Sequence, residues 1–121
     1  MEKKVVLVDA DEKHSSSLCR LMEENGYGVV PLHATELLEE SLQDTDCLAV
    51  IIDIDTIQVD NRYVRDLTIG HPGVCVLGLS GEAMHPELRE AICYHIYACI
   101  RKPVDPAELL YWLKSIEEDI E

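Results

Sequence analysis

Basic residues are scarce in this sequence: 10 Lys and Arg stand against 24 Asp and Glu, a formal net charge of -14 over 121 residues. Such a chain repels nucleic acid phosphates and anionic membrane surfaces, which argues against direct nucleic acid binding and against docking on a membrane. Long apolar runs are missing as well. No stretch approaches the roughly 20 apolar residues needed to span a bilayer. The apolar run in MEKKVVLVDADE stops after four residues at an acidic cluster, too short for the core of a secretory leader. A cytoplasmic location is expected. No C-x-x-C pair occurs among the five cysteines, at 19, 47, 75, 93 and 99, which are expected to be reduced, buried thiols in apolar segments. Cys93, His95 and Cys99 lie close together, but their spacing matches no common zinc pattern and no second ligand pair accompanies them, so core packing is expected there. Repeats, low-complexity stretches and linkers are also lacking. With 47% apolar content, the length suits one domain, residues 1–121, that buries roughly two-thirds of the surface its unfolded chain exposes.

What the sequence does have is three short, continuous apolar runs rich in β-branched residues: Val5 to Val8, Leu48 to Ile52 and Val74 to Leu79. Runs without alternation are how strands buried on both faces of a parallel sheet read. Tyr27 to Leu32 and Ala98 to Arg101 are weaker candidates that complete a set of five. Helical spacing fills the intervals. Leu18, Leu21 and Met22 mark a first helix ending at Asn25-Gly26, where glycine takes a left-handed conformation without penalty. Leu37, Leu38 and Leu42 mark a second, with Thr35 as its expected N-cap. Val64 and Leu67 mark a third before the turn at Gly70 to Gly73, and Leu88 and Ile92 mark a fourth after Pro86. The last is the best signalled, because Asp105-Pro106-Ala107-Glu108 supplies a cap, a first-turn proline and a capping glutamate before Leu109, Leu110, Leu113 and Ile116. Five alternations of strand and helix imply an open parallel sheet with helices on both faces. In such folds the site lies beyond the carboxyl ends of the strands.

Those ends carry, in order, Asp9 with Asp11, Asp53 with Asp55, Ser80, and Lys102 followed by Pro103. Carboxylates converging in one cleft repel one another unless a cation neutralises them. Hard oxygen ligands with solvent access suit Mg2+, and a lysine and a hydroxyl at the same rim suit phosphate oxygens.

VVLVDADE resembles the acidic end of strand one in response-regulator receiver domains of two-component signalling, of the chemotaxis-regulator kind. AVIIDIDTIQVDN resembles their phosphoacceptor segment, VCVLGLSG the strand-four end with its Ser or Thr, and ACIRKPVDPAEL the Lys-Pro signature before the final helix. The likeness extends over essentially the whole chain. It implies a flavodoxin-like, doubly wound, five-stranded parallel sheet in the order 2-1-3-4-5 with five helices. By position it also implies that Asp53 accepts a phosphoryl group, that Ser80 bonds the group after transfer, and that Lys102 pairs first with the acceptor and later with the phosphate. Asp9, Asp53 and the main-chain carbonyl of Asp55 would hold Mg2+, with Asp11 a further carboxylate at its rim. The implied partners are a sensor histidine kinase and a downstream effector domain or protein, and the implied setting is the bacterial cytoplasm. Homodimerisation through the fourth helix, fifth strand and last helix is common in the family. The implied role is that of a switch and not of an enzyme acting on other molecules, beyond gaining and losing its own phosphoryl group.

The sequence departs from the family's pattern at two telling places. Ala10 stands where a second consecutive acid contacts the metal, so weakened Mg2+ binding is expected. Cys99 stands where a Tyr or Phe usually turns inward on phosphorylation. Asp60-Asn61 replaces the common Asp-Gly, and Ile57 stands near where a proline is frequent, which implies a reshaped loop. The five histidines, His14, His33, His71, His85 and His95, share no strand-end location, and none is expected to be catalytic. Tyr111 and Trp112 on the last helix are expected in packing or an interface. Two readings follow: a phosphorylatable switch, or a pseudo-receiver that binds partners without phosphorylation. An enzyme or flavin protein on the same architecture would need a Gly-rich phosphate loop after strand one, which this sequence lacks.

Overall fold

The computed structural model describes residues 3–43, 47–81 and 95–120. Five strands, β1 (Lys3–Val8), β2 (Tyr27–Leu32), β3 (Cys47–Asp53), β4 (Cys75–Ser80) and β5 (Ala98–Arg101), form one parallel sheet in the order β2-β1-β3-β4-β5. Four α-helices lie among the described residues: α1 (Glu12–Glu24), α2 (Leu38–Gln43), α3 (Asn61–Gly70) and α4 (Pro106–Ile120). The helix expected around Leu88 and Ile92 lies outside them, as does Cys93. None of the described helices is long and apolar enough to cross a membrane.

Continuous apolar strands arise because both faces of the sheet are covered. Val5, Leu7, Ala49, Ile51, Leu77 and Leu79 point to one side, where they pack with Leu18 and Met22 of α1 and Leu109, Leu113 and Ile116 of α4. Val6, Val8, Val50, Ile52 and Val76 point to the other, against Leu38 and Leu42 of α2 and Val64 and Leu67 of α3. Full burial of each such aliphatic side chain contributes about 1.5–3 kcal/mol. Gly78 sits on this second face, where an added Cβ would lie 2.8 Å from Cδ1 of Ile54.

Local chemistry sets the helix ends. Asp11 accepts hydrogen bonds from the main-chain N–H groups of Lys13 and His14 and so caps α1. At the other end, Gly26 adopts φ 92° just past the C-cap Asn25. Asp60 caps α3 through the N–H of Tyr63 at 2.8 Å, so Asp60-Asn61 opens a helix. Asp105 accepts from the N–H of Ala107 at 3.0 Å ahead of Pro106.

Three expectations are corrected. Thr35 is not a side-chain cap: it opens a 3-10 turn, Thr35–Leu37, whose N-cap is Ala34, and its side chain bonds Tyr63. Leu37 does not join the apolar face, because that turn rotates it outward to 56% exposure, while Leu38 and Leu42 are buried. Of the four described cysteines, all free thiols, only Cys47 is fully buried. Cys99 is exposed on β5, where the neighbouring Ile100 points to the opposite face and is buried.

Candidate functional site

The order β2-β1-β3 means that the chain leaves β1 toward one edge of the sheet and later returns to its other side. A crevice therefore opens beyond the carboxyl ends of β1 and β3. Asp9 follows β1 and Asp53 ends β3, and both are 0% exposed. Main-chain bonds prolong the pairing past the strand ends: Asp9 N donates to Leu32 O, Ile54 N to Leu79 O, and Lys102 N to Ser80 O, each at 2.9 Å. The backbone that carries the polar groups is thus as ordered as the sheet.

Each buried carboxylate is oriented by its own loop. Asp9 Oδ1 accepts from Asp11 N at 2.9 Å and from Thr56 Oγ1 at 3.3 Å, and Asp53 Oδ1 accepts from Asp55 N at 3.0 Å. Asp53 Oδ2 accepts from Lys102 Nζ at 2.8 Å. Partial desolvation by itself lowers the pKa of the Lys102 ammonium, but hydrogen bonds and Coulombic attraction to Asp53 and Asp55 outweigh it and hold the group above the ordinary lysine value. The Lys102-Pro103 peptide bond is cis.

Asp53, Lys102 and Ser80 are brought together at one rim, as the sequence led us to expect, but the Asp55 side chain stands among them. Its carboxylate accepts from Gly81 N at 2.8 Å and Ser80 Oγ at 3.2 Å, and Lys102 Nζ lies 3.3 Å away. Burial pushes the Asp55 carboxyl up, yet the Gly81 N–H, the Lys102 ammonium and the Ser80 hydroxyl together hold it below the usual carboxylate range. The resemblance implies a role for the main-chain carbonyl of this residue, while its carboxylate is among those expected at the strand ends. Asp11 lies at the start of α1. Its carboxylate is engaged in capping α1, and the N–H groups of His14 and Lys13 hold its pKa low.

A further residue escaped sequence reasoning. His14 Nδ1 lies 2.5 Å from Asp9 Oδ2 and 3.3 Å from Asp53 Oδ2. Among the described residues these three side chains are the group able to hold a metal ion, with ligand atoms all within 4.8 Å of one another. The available signal was the position of His14 three residues past the cap of α1: side chains in a helix lean toward its N-terminus, which here faces the cleft. His33 Nδ1 bonds the main-chain carbonyl of Asp9 at 2.9 Å. His71 pairs with Glu39, and His95 with Thr68, away from the cleft.

No protein-family model and no curated protein sequence matches the chain. Solved structures do. The signal receiver domain of an HD-domain-containing protein from Pseudomonas fluorescens Pf-5 aligns with TM-score 0.86 at 22% identity, over 98% of this chain and 89% of that one. The receiver domain of a sensor histidine kinase from Pseudomonas aeruginosa PAO1, which has a magnesium ion coordinated in its active-site cleft, gives 0.79 at 18%, over 95% and 97%. A pilus assembly-related protein from Burkholderia pseudomallei K96243 gives 0.76 at 21%, over 94% and 88%. The fold is that of a receiver domain. A receiver cleft implies a divalent cation, and the donors here fit one. Asp9 and Asp53 are buried, each has one oxygen tied to a main-chain N–H, and their other oxygens converge on a shared point. Ala10, whose N–H donates to Thr56 Oγ1, brings no side-chain donor.

Proposed function

We propose that this receiver is a response-regulator switch of bacterial two-component signalling, comprising residues 1–121 and acting in the cytoplasm. A sensor histidine kinase transfers a phosphoryl group to Asp53, and the change alters a surface read by an effector domain or protein. The observation that carries this reading is the pairing of buried Asp53 with Lys102 at 2.8 Å, with the Ser80 hydroxyl at the same rim. A carboxylate oxygen of Asp53 attacks phosphorus as the bond from phosphorus to the donor's imidazole nitrogen breaks, and that nitrogen keeps the electron pair. Lys102 neutralises charge on the acceptor and then on the phosphoryl oxygens, while Ser80 donates to one of them. Bound at Asp9, Asp53 and the Asp55 carbonyl, Mg2+ would supply further neutralisation of charge. Beside the acceptor, Leu18, Leu21, Pro103 and Val104 line a largely apolar hollow of about 610 Å3, bordered by His14 and Lys102, that suits a docking helix of the kinase. Homodimerisation would use the helix expected around Leu88 and Ile92 together with β5 and α4.

The test is exposure to acetyl phosphate and Mg2+ at millimolar concentration, read by mass spectrometry. The expected result is an adduct of about 80 Da, the mass added when a phosphoryl group replaces a proton, and its loss in Asp53→Asn. No adduct on the parent chain, with beryllofluoride also leaving the amides around Asp53 unshifted, defeats the reading.

One observation favours a second reading, a pseudo-receiver that engages partners without phosphorylation. The Asp55 carboxylate already holds the Gly81 N–H, the Ser80 hydroxyl and the Lys102 ammonium, the donors an incoming phosphoryl group would use. Under that reading Asp53→Asn leaves partner binding intact and Asp55→Ala disrupts it.

A further inference from the structure

We infer that Asp9, His14 and Asp53 form a mixed nitrogen and oxygen metal site that takes a first-row transition dication, with His14 Nδ1 as a direct ligand. The inference rests on reading the cleft as a cation site, and it changes which cation that site prefers. Its basis is the position of one imidazole nitrogen. His14 Nδ1 sits against the two carboxylate oxygens that neither loop ties to a main-chain N–H, Asp9 Oδ2 at 2.5 Å and Asp53 Oδ2 at 3.3 Å. The three ligand atoms lie within 4.8 Å of one another, so a single ion can reach them all. The other oxygen of each carboxylate is anchored, at Asp11 N and Asp55 N. Anchoring of this kind fixes the orientation of a ligand before the metal arrives.

Donor chemistry sets the choice of ion. Mg2+ requires hard oxygen ligands in near-ideal octahedral geometry, whereas imidazole suits first-row transition metals. Ala10 offers no oxygen donor after Asp9, and His14 brings a nitrogen donor to the same cleft from the first turn of α1. Charge agrees. The carboxylates of Asp53 and Asp55 pair with the Lys102 ammonium and that of Asp9 lies against the His14 ring, so three carboxylates and one ammonium leave two negative charges for a dication to neutralise. The His14 side chain is 24% exposed, so the site has a route for entry. On binding, Nδ1 presents its lone pair to the metal and the ring proton resides on Nε2.

The test uses the full chain, stripped with chelator and titrated with Co2+, Mn2+ and Mg2+. Oxygen-only sites also favour Co2+ over Mg2+, so dependence on His14 decides the matter. In His14→Ala and His14→Asn, Co2+ affinity is expected to fall by at least about tenfold, with loss of the visible ligand-field band, while Mg2+ affinity changes by less than about twofold. Pulsed EPR of the Mn2+ complex of the unaltered chain is expected to show hyperfine coupling to an imidazole nitrogen, a reading that depends on no variant's folding. Absence of that coupling overturns the inference, as does unchanged Co2+ affinity in both variants. Tighter binding of Mg2+ and Co2+ in the variants also overturns it, because His14 is then a resident counter-charge. Failure of the phosphoryl reading looks different: the coupling is present but no adduct forms on Asp53.

Discussion

Removing the Asp55 carboxylate is the most informative perturbation of the cleft. It accepts from Gly81 N–H and Ser80 Oγ and lies 3.3 Å from Lys102 Nζ, so a phosphoryl group on Asp53 must displace it to gain the same donors. Hydrogen bonds of this sort contribute about 0.5–1.5 kcal/mol each after exchange with water. The Asp55 side chain is 28% exposed, which places each contact toward the lower end. Three such contacts total about 2 kcal/mol, and since each 1.4 kcal/mol is tenfold in an equilibrium, the barrier to occupancy is roughly 30-fold. Asp55→Ala is therefore expected to raise beryllofluoride affinity by roughly that factor, followed by 19F NMR in the presence of a saturating dication. Asp55→Asn, which keeps the size but loses the charge, should fall between the two. A change below about twofold in Asp55→Ala, in a variant whose Asp53 still binds the mimic, refutes the idea that Asp55 competes for the phosphoryl donors.

Other consequences are open to direct measurement. Leu113 is fully buried between α4 and the sheet, so Leu113→Ala should lower unfolding free energy by about 2–5 kcal/mol in urea, while Leu37→Ala, at a site 56% exposed, stays within about 0.5 kcal/mol. Burial and the nearby carboxylate of Glu117 push Tyr27 up to about 12 from 10.0, so its neutral form stabilises the fold below pH 10 and that contribution disappears between pH 10 and 12. Ultraviolet titration should find a tyrosine ionising near 12 that Tyr27→Phe removes, with Tyr63 and Tyr97 also raised above the ordinary value by burial and by the Asp119 contact respectively; an unchanged late phase in Tyr27→Phe contradicts this. Lys102 adds to the same alkaline loss, because a raised lysine pKa gives stability below the ordinary value that fades as pH climbs through the raised one. Asp11→Ala should lower the denaturant midpoint by uncapping α1, because the main-chain N–H groups of Lys13 and His14 lose their acceptor; an unchanged midpoint contradicts this.

The layout of the fold was legible because burial on both faces writes itself into sequence as unbroken apolar runs, and the residues that end β1, β3 and β4 could then be read off directly. The weaker runs at Tyr27 to Leu32 and Ala98 to Arg101 are the two strands at the ends of the sheet order. Patterning failed where geometry changed over a single turn. Leu37 and Leu38 are equivalent as apolar letters, yet the 3-10 turn ending at Leu37 turns one to solvent and the other into the core. Cys99 reads as a core thiol by its neighbours and is exposed, while Ile100 beside it on the opposite face of β5 is buried.

The cleft divides along the same line. Asp9, Asp53, Ser80 and Lys102 were legible because strand ends fix where a side chain begins, and strand order fixes which ends are adjacent. What strand ends do not reveal is what returns to the crevice from elsewhere. His14 is one turn into a helix, and it faces the carboxylates because Asp11 starts that helix where it does. Asp55 is two residues past its strand, in a turn closed by bonds from Thr56 N and Ile57 N to Asp53 O, and that turn carries its carboxylate across to Gly81 and Ser80. Both residues owe their positions to short-range backbone geometry, and both alter what an acceptor at Asp53 would meet: His14 the cation, Asp55 the phosphoryl group. The parts of the site that strand order positions are those this chain has in common with the receiver pattern, and the parts that local turns position are those in which it differs. Substitutions at His14 and Asp55 therefore report on what local turns add to this cleft, whereas substitutions at Asp53 and Lys102 report on what strand order places there.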